Sequence, residues 1–206
     1  AVVENTVFIV ADASDPKKPD FYSINVTNID APVERANVDI GKGLNSISIM
    51  GNYAYVAHVS STNQLQIIDI SNPDSPVYIT ETRGPVPGTS LNGAASVFVS
   101  GNYAYVANVD GDSLAVIDIS NPANPVFVSI EYGPTPGTSL DAASSVFVSG
   151  KYAYITNLFR DSLAVIDISN PLDPIFVSEE RGSTPGTSLD GAIGVFVSGN
   201  YAYTAN

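Results

Sequence analysis

The sequence predicts an all-β fold, a β-propeller-type array of four-stranded antiparallel blades. Three observations point there: a tandem repeat of about 49 residues, β-rich segments parted by turn residues, and strands that are apolar on both faces. The segment Met50-Gly51-Asn52-Tyr53-Ala54-Tyr55-Val56-Ala57-His58 recurs as Ser100 to Asn108, as Ser149 to Asn157 and as Ser198 to Asn206. Its glycines stand at 51, 101, 150 and 199, so the intervals are 50, 49 and 49. A divergent copy opens the chain, with Val7 to Asp12 aligned to Tyr53 to His58, 46 residues earlier. The repeats run over about 1–46, 47–96, 97–145 and 146–194, with a partial fifth at 195–206, in a single repeat domain.

Within the third copy the four strands are Val97 to Ser100, Tyr103 to Val109, Leu114 to Ser120 and Pro125 to Tyr132. Val, Ile, Tyr and Phe fill them, and Gly, Asn, Asp and Pro stand between them. The first link, Ser-Gly-Asn, is a tight hairpin, since Gly and Asn tolerate positive φ. Asn121-Pro122 starts a turn, because the residue before Pro is pushed out of the helical region. Along the third strand Leu114 and Val116 face one way while Ala115, Ile117 and Ile119 face the other. A sheet apolar on both faces has to be covered on both. Stacking blades around an axis does that, and a period of 40–50 residues suits one blade per repeat.

The third-strand signature Leu114-Ala115-Val116-Ile117-Asp118-Ile119-Ser120-Asn121-Pro122 recurs at Leu163 to Pro171, and with small changes at Leu65 to Pro73; Phe21 to Ile29 is its worn form. Together with Gly-Asn-Tyr-Ala-Tyr-Val-Ala it resembles the LVIVD repeat of bacterial and archaeal surface proteins. The resemblance spans nearly the whole chain. It implies a propeller and an extracellular or cell-surface setting, and it implies no activity, because one fold hosts many functions.

Composition narrows the partners. The 206 residues carry 21 Asp and Glu against 8 Lys and Arg, a net charge of −13, which argues against nucleic acid and anionic membranes. With no Cys, thiol chemistry is excluded. No apolar run approaches the ~20 residues of a membrane helix, so membrane insertion is not expected. The chain starts at Ala1 rather than Met, which suggests processing or a partial sequence. Four units and half a fifth suggest part of a larger ring, a segment of a filament or a small strained ring.

Candidate sites gather on one face, where the loop entering strand one meets the loop between strands two and three. The entering loop reads Pro-Gly-Thr-Ser-Leu three times, then Asn or Asp. It offers Thr89, Ser90 and Asn92, then Thr138, Ser139 and Asp141, then Thr187, Ser188 and Asp190 as a ligand face, with Asp161 from the other loop. Asp110-x-Asp112 resembles the opening of a Ca²⁺ loop but lacks a Glu at the twelfth position. Ordered turns and backbone capping explain the same residues without a ligand. Asp69, Asp118 and Asp167, with Asn25 in the worn copy, recur once per blade, as a structural bond to the Ser-Asn-Pro turn would. Asn25-Val26-Thr27 is the single glycosylation sequon, placing Asn25 as its acceptor. His58, the only His, has no Cys and no visible triad beside it.

The leading expectation is a non-catalytic extracellular or cell-surface protein, a scaffold, filament, surface-layer or adhesion component that associates with itself or with other surface proteins. The alternative is a glycan- or Ca²⁺-binding module on the loop-rich face, with no other cofactor. A polysaccharide-cleaving enzyme comes third. It needs two suitably spaced carboxylates in one cleft, and Asp141 and Asp190 are repeat-equivalents.

Overall fold

Eighteen strands form five antiparallel sheets in the computed structural model, which describes residues 1–11, 18–59, 64–86, 90–136, 139–182 and 189–206. The first blade holds β1 (Val2–Val3), β2 (Thr6–Val10), β3 (Phe21–Asn25) and β4 (Val33–Val38). The second holds β5 (Leu44–Met50), β6 (Tyr53–His58), β7 (Gln64–Asp69) and β8 (Val77–Thr82). The third holds β9 (Ala94–Ser100), β10 (Tyr103–Asn108), β11 (Ser113–Asp118) and β12 (Val126–Glu131). The fourth holds β13 (Ala143–Ser149), β14 (Tyr152–Asn157), β15 (Ser162–Asp167) and β16 (Ile175–Glu180). A hairpin of β17 (Gly194–Ser198) and β18 (Tyr201–Ala205) follows. Each blade is a meander in chain order, as β-propeller blades are. No helix among the described residues is long and apolar enough to cross a membrane.

The core lies between blades. Ala115, Ile117 and Ile119 pack toward the second blade with Leu65 and Ile67, while Leu114 and Val116 pack toward the fourth with Ile155 and Ile166. The two-faced reading of that strand therefore holds. A fully buried Leu or Ile contributes about 1.5–3 kcal/mol, so these layers, rather than the polar loops, hold the blades together. The paired tyrosines join them. Tyr105 is 3% exposed, and burial, with Tyr103 beside it, pushes its phenol up to about 12.

Serine hydroxyls tie neighbouring innermost strands together. The Val97 and Val99 N–H groups of β9 donate to the Ser46 and Ser48 hydroxyls of β5 at 3.2 and 3.1 Å, and the Val146 N–H donates to Ser96 at 3.3 Å. Every blade carries a bulge at one place in its outer pair, between Ser23 and Ile24, Ile67 and Ile68, Val116 and Ile117, and Val165 and Ile166.

Two local readings change. In the first hairpin of the second and later blades the glycine takes positive φ (Gly101, 56°) and the residue after it does not, so the turn has Gly first and an ordinary second residue. In the first blade the hairpin pairs Val3 with Thr6, as Ser100 pairs with Tyr103. Glu4 therefore stands where later blades have glycine, Thr6 where they have tyrosine, and Ala11 where the second has His58. The sequence alignment of β2 was one residue out, because the worn copy has no glycine to fix its phase.

Candidate functional site

The loops expected to share a face do so. In the third blade the Val109 N–H donates to the Gly93 carbonyl at 2.8 Å, and the Asn92 amide donates to the Asp110 carbonyl at 3.0 Å. The approach is close enough that a Cβ on Gly93, whose φ is +68°, would come within 2.6 Å of the Asp110 nitrogen. In the fourth blade the Leu158 N–H donates to the Ala142 carbonyl in the same way.

The candidate residues divide by environment. Ser90 and Ser139 turn inward: they are buried, and their hydroxyls accept the Val86 and Thr135 N–H groups at 3.1 and 3.0 Å. Thr89, Thr138, Thr187 and Ser188 lie outside the described residues. Asn92 is half-buried on its backbone partner, and Asp190 is exposed. Asp112 and Asp161 reach across blade junctions, where each carboxylate accepts the N–H of the next entering loop, Ala142 at 2.8 Å and Gly191 at 3.1 Å. Asp110 is exposed, and among the described residues no group of three His, Asp or Glu side chains is placed to hold a metal ion. The Asn25 side chain accepts the Thr27 N–H at 2.8 Å. Asp69, Asp118 and Asp167 do the same for Ser71, Ser120 and Ser169, each at 2.8 Å. The Ser120 hydroxyl and N–H hold the Asp118 carboxyl below its usual range.

At one junction, between the third and fourth blades, these loops bring together a set that does not recur among the described residues. Asp141 is half-buried, and burial raises its carboxyl above the ordinary value; nearby Asp112 adds to this and Arg160 opposes it. Arg160 is fixed by Glu179, whose carboxylate it meets at 2.9 and 3.3 Å, and its carbonyl accepts the Arg181 Nε at 3.2 Å. Asp141 and Asp190 are equivalent in sequence, but one is partly desolvated and feels the charge of Arg160, and the other is exposed. Sequence reasoning passed over Arg160 and Glu179. The signal was available, since Arg160 replaces Gly111 of the preceding repeat. Chemically, the set offers a carboxylate made more basic by burial, within electrostatic reach of a guanidinium that Glu179 holds.

Among solved structures, a Lactobacillus plantarum protein matches with a TM-score of 0.76 at 14% identity, over 96% of this chain and 59% of its own. A Bacteroides uniformis protein provisionally named a 6-phosphogluconolactonase matches with a TM-score of 0.74 at 15% identity, over 98% of this chain and 61% of its own. The periplasmic gluconolactonase of Pseudomonas aeruginosa matches with a TM-score of 0.66 at 14% identity, over 89% of this chain and 56% of its own. The chain thus spans about three-fifths of the length of the structures it matches, and at these identities the likeness is one of fold. It corrects one expectation. The non-catalytic scaffold reading rested on repetition, and proteins named as lactonases carry the same repeated blades. Regularity in the core leaves the loops free to differ, as Arg160 does. The sequence matches none of the curated proteins. The LVIVD repeat model matches residues 43–81, 93–131, 142–179 and 191–206, well over half of the sequence, and with the blades found at those places the chain belongs to the LVIVD-repeat family.

Proposed function

We propose that this chain forms part of an extracytoplasmic propeller that hydrolyses a sugar lactone on its loop-rich face, with the cluster between the third and fourth blades as its centre. The observation that carries the reading is the convergence of Asp112, half-buried Asp141 and Arg160 at that single junction. The names of the structural neighbours and the periplasmic source of one of them support it.

In the proposed reaction a water molecule attacks the lactone carbonyl carbon while the Asp141 carboxylate takes its proton. Arg160 stabilises the oxyanion of the tetrahedral intermediate. As the intermediate collapses, the ring C–O bond breaks and the proton passes to the departing alkoxide, giving the open hydroxy acid. Asp112 stays bound to the Ala142 N–H and holds the entering loop in place.

The test is a proton-release assay on a panel of aldonolactones, with the uncatalysed rate subtracted. The purified protein should exceed water, and Asp141→Asn should lower the rate by about 10²–10⁴-fold, the usual contribution of a general base, with circular dichroism unchanged. No rate above water on any aldonolactone, or full activity in Asp141→Asn, would overturn the proposal.

A further inference from the structure

A cavity of about 290 Å³ lies at the opposite, hairpin end of the blades, between the first and second. Three of the first blade's departures from the repeat line this cavity: Glu4, Thr6 and Arg35. Glu4 (φ 51°) takes the place of Gly51, Gly101 and Gly150, a left-handed conformation in which a side chain is strained. Thr6 replaces Tyr53, Tyr103 and Tyr152, so a small hydroxyl stands where later blades put a ring. Arg35 takes the bulged position held by Ile79, Val128 and Val177.

The space is organised, not merely underfilled. Arg35 spans the junction, meeting Asp74 through Nε at 2.7 Å and through a terminal nitrogen at 2.9 Å. Its other terminal nitrogen donates to the buried Thr6 hydroxyl at 3.0 Å. A packing void would be apolar and dry. This one has a floor of Phe8 and Ile70 and a rim of carboxylate, guanidinium, hydroxyl and amide groups. Apolar ground with a few fixed polar groups is the pattern of a small-molecule pocket, and the volume suits one small ring.

We infer that this cavity binds a neutral, hydroxyl-rich ring of monosaccharide size. Charge decides against an anion: Glu4 lines the cavity, the one lining cation, Arg35, is already paired with Asp74, and the protein carries −13 overall. Hydroxyls suit the mixed donors and acceptors of Glu4, Asn5, Arg35 and Asn52 along its lining. The inference is independent of the lactonase reading, because it concerns the other end of the blades and is read by binding.

Titration of the isotope-labelled protein with D-glucose, myo-inositol and D-gluconate, followed by amide NMR, tests it. A neutral probe should shift the amides of Thr6, Arg35 and Asn52, with a dissociation constant on the order of 1 mM, as suits about twelve non-hydrogen atoms. Thr6→Tyr fills the space with the residue three later blades tolerate, and should weaken binding at least about tenfold while the remaining spectrum is kept. The inference is overturned if neither neutral probe shifts these amides, if Thr6→Tyr binds as the parent does, or if gluconate binds more tightly than glucose.

Discussion

At the junction of the third and fourth blades, Tyr103 and Val128 lean on an apolar cluster that includes Leu114 and Ile155. At the junction of the first and second, the same two places hold Thr6 and Arg35, and about 290 Å³ stays open. The deep layers hardly differ: Phe8, Phe21, Val56 and Ile68 are as buried in one as Leu114, Val116, Ile155 and Ile166 are in the other. The difference therefore shows where a repeat can change. Deep positions face another blade whatever the copy, while the outer ring of a junction can exchange a ring for a hydroxyl and keep the stack intact.

Recreating the open junction where it is closed gives the largest expected effect. Tyr103→Thr removes a half-buried ring and should cost about 2 kcal/mol, roughly half the loss for a fully buried aromatic, read as a lower urea midpoint. An unchanged midpoint would mean that the ring does not close the junction. A smaller and opposite effect should come from Ala142→Gly. Ala142 has φ 55° where the neighbouring blades have Gly93 and Gly191, at 68° and 67°, so glycine should relieve about 1 kcal/mol and raise the melting temperature. A fall would show that the fourth blade uses the alanine methyl in a way its neighbours do not.

The smallest effect is a slope with pH. Burial holds the His58 imidazole below its ordinary value, with Glu81 drawing it up and Arg83 pressing it down. As the pH falls below about 6.5, the unfolded chain takes up a proton that the folded one resists, so stability declines toward acid. His58→Asn carries the residue of the third and fourth blades, and should flatten that decline. Urea midpoints at about pH 7.5 and pH 5 check it, and equal slopes in parent and variant would remove His58 as the cause.

Most of the fold was legible because its signals are local and repeated. Gly101 and its equivalents mark the hairpins, and the alternation from Leu114 to Ile119 gives both covered faces. β9 begins three residues earlier than its Val-rich part suggests, because Ala94, Ala95 and Ser96 have little strand character and are drawn in by pairing with β10. The candidate site was half legible. Asp141 and Asp112 were singled out, but the link from Asp112 to Ala142 joins residues 30 apart, and no local pattern announces it. Arg160 and Arg35 were visible only as departures from the repeat, and a reading built on recurrence looks past its exceptions.

The junction contacts also bear on how such an array can lengthen. Asp112 answers Ala142 and Asp161 answers Gly191, each 30 residues on, while Ser23 donates to the Pro73 carbonyl 50 residues on. The partners lie in adjacent blades, so no single blade holds a complete set. Duplicating a stretch of one period, begun at any phase, regenerates every such pair at the new boundary. Exchanging one blade for a foreign one breaks the pairs on both flanks at once. Tandem copying is therefore the inheritance this architecture tolerates best, with innovation left to single residues in the loops and at the rims.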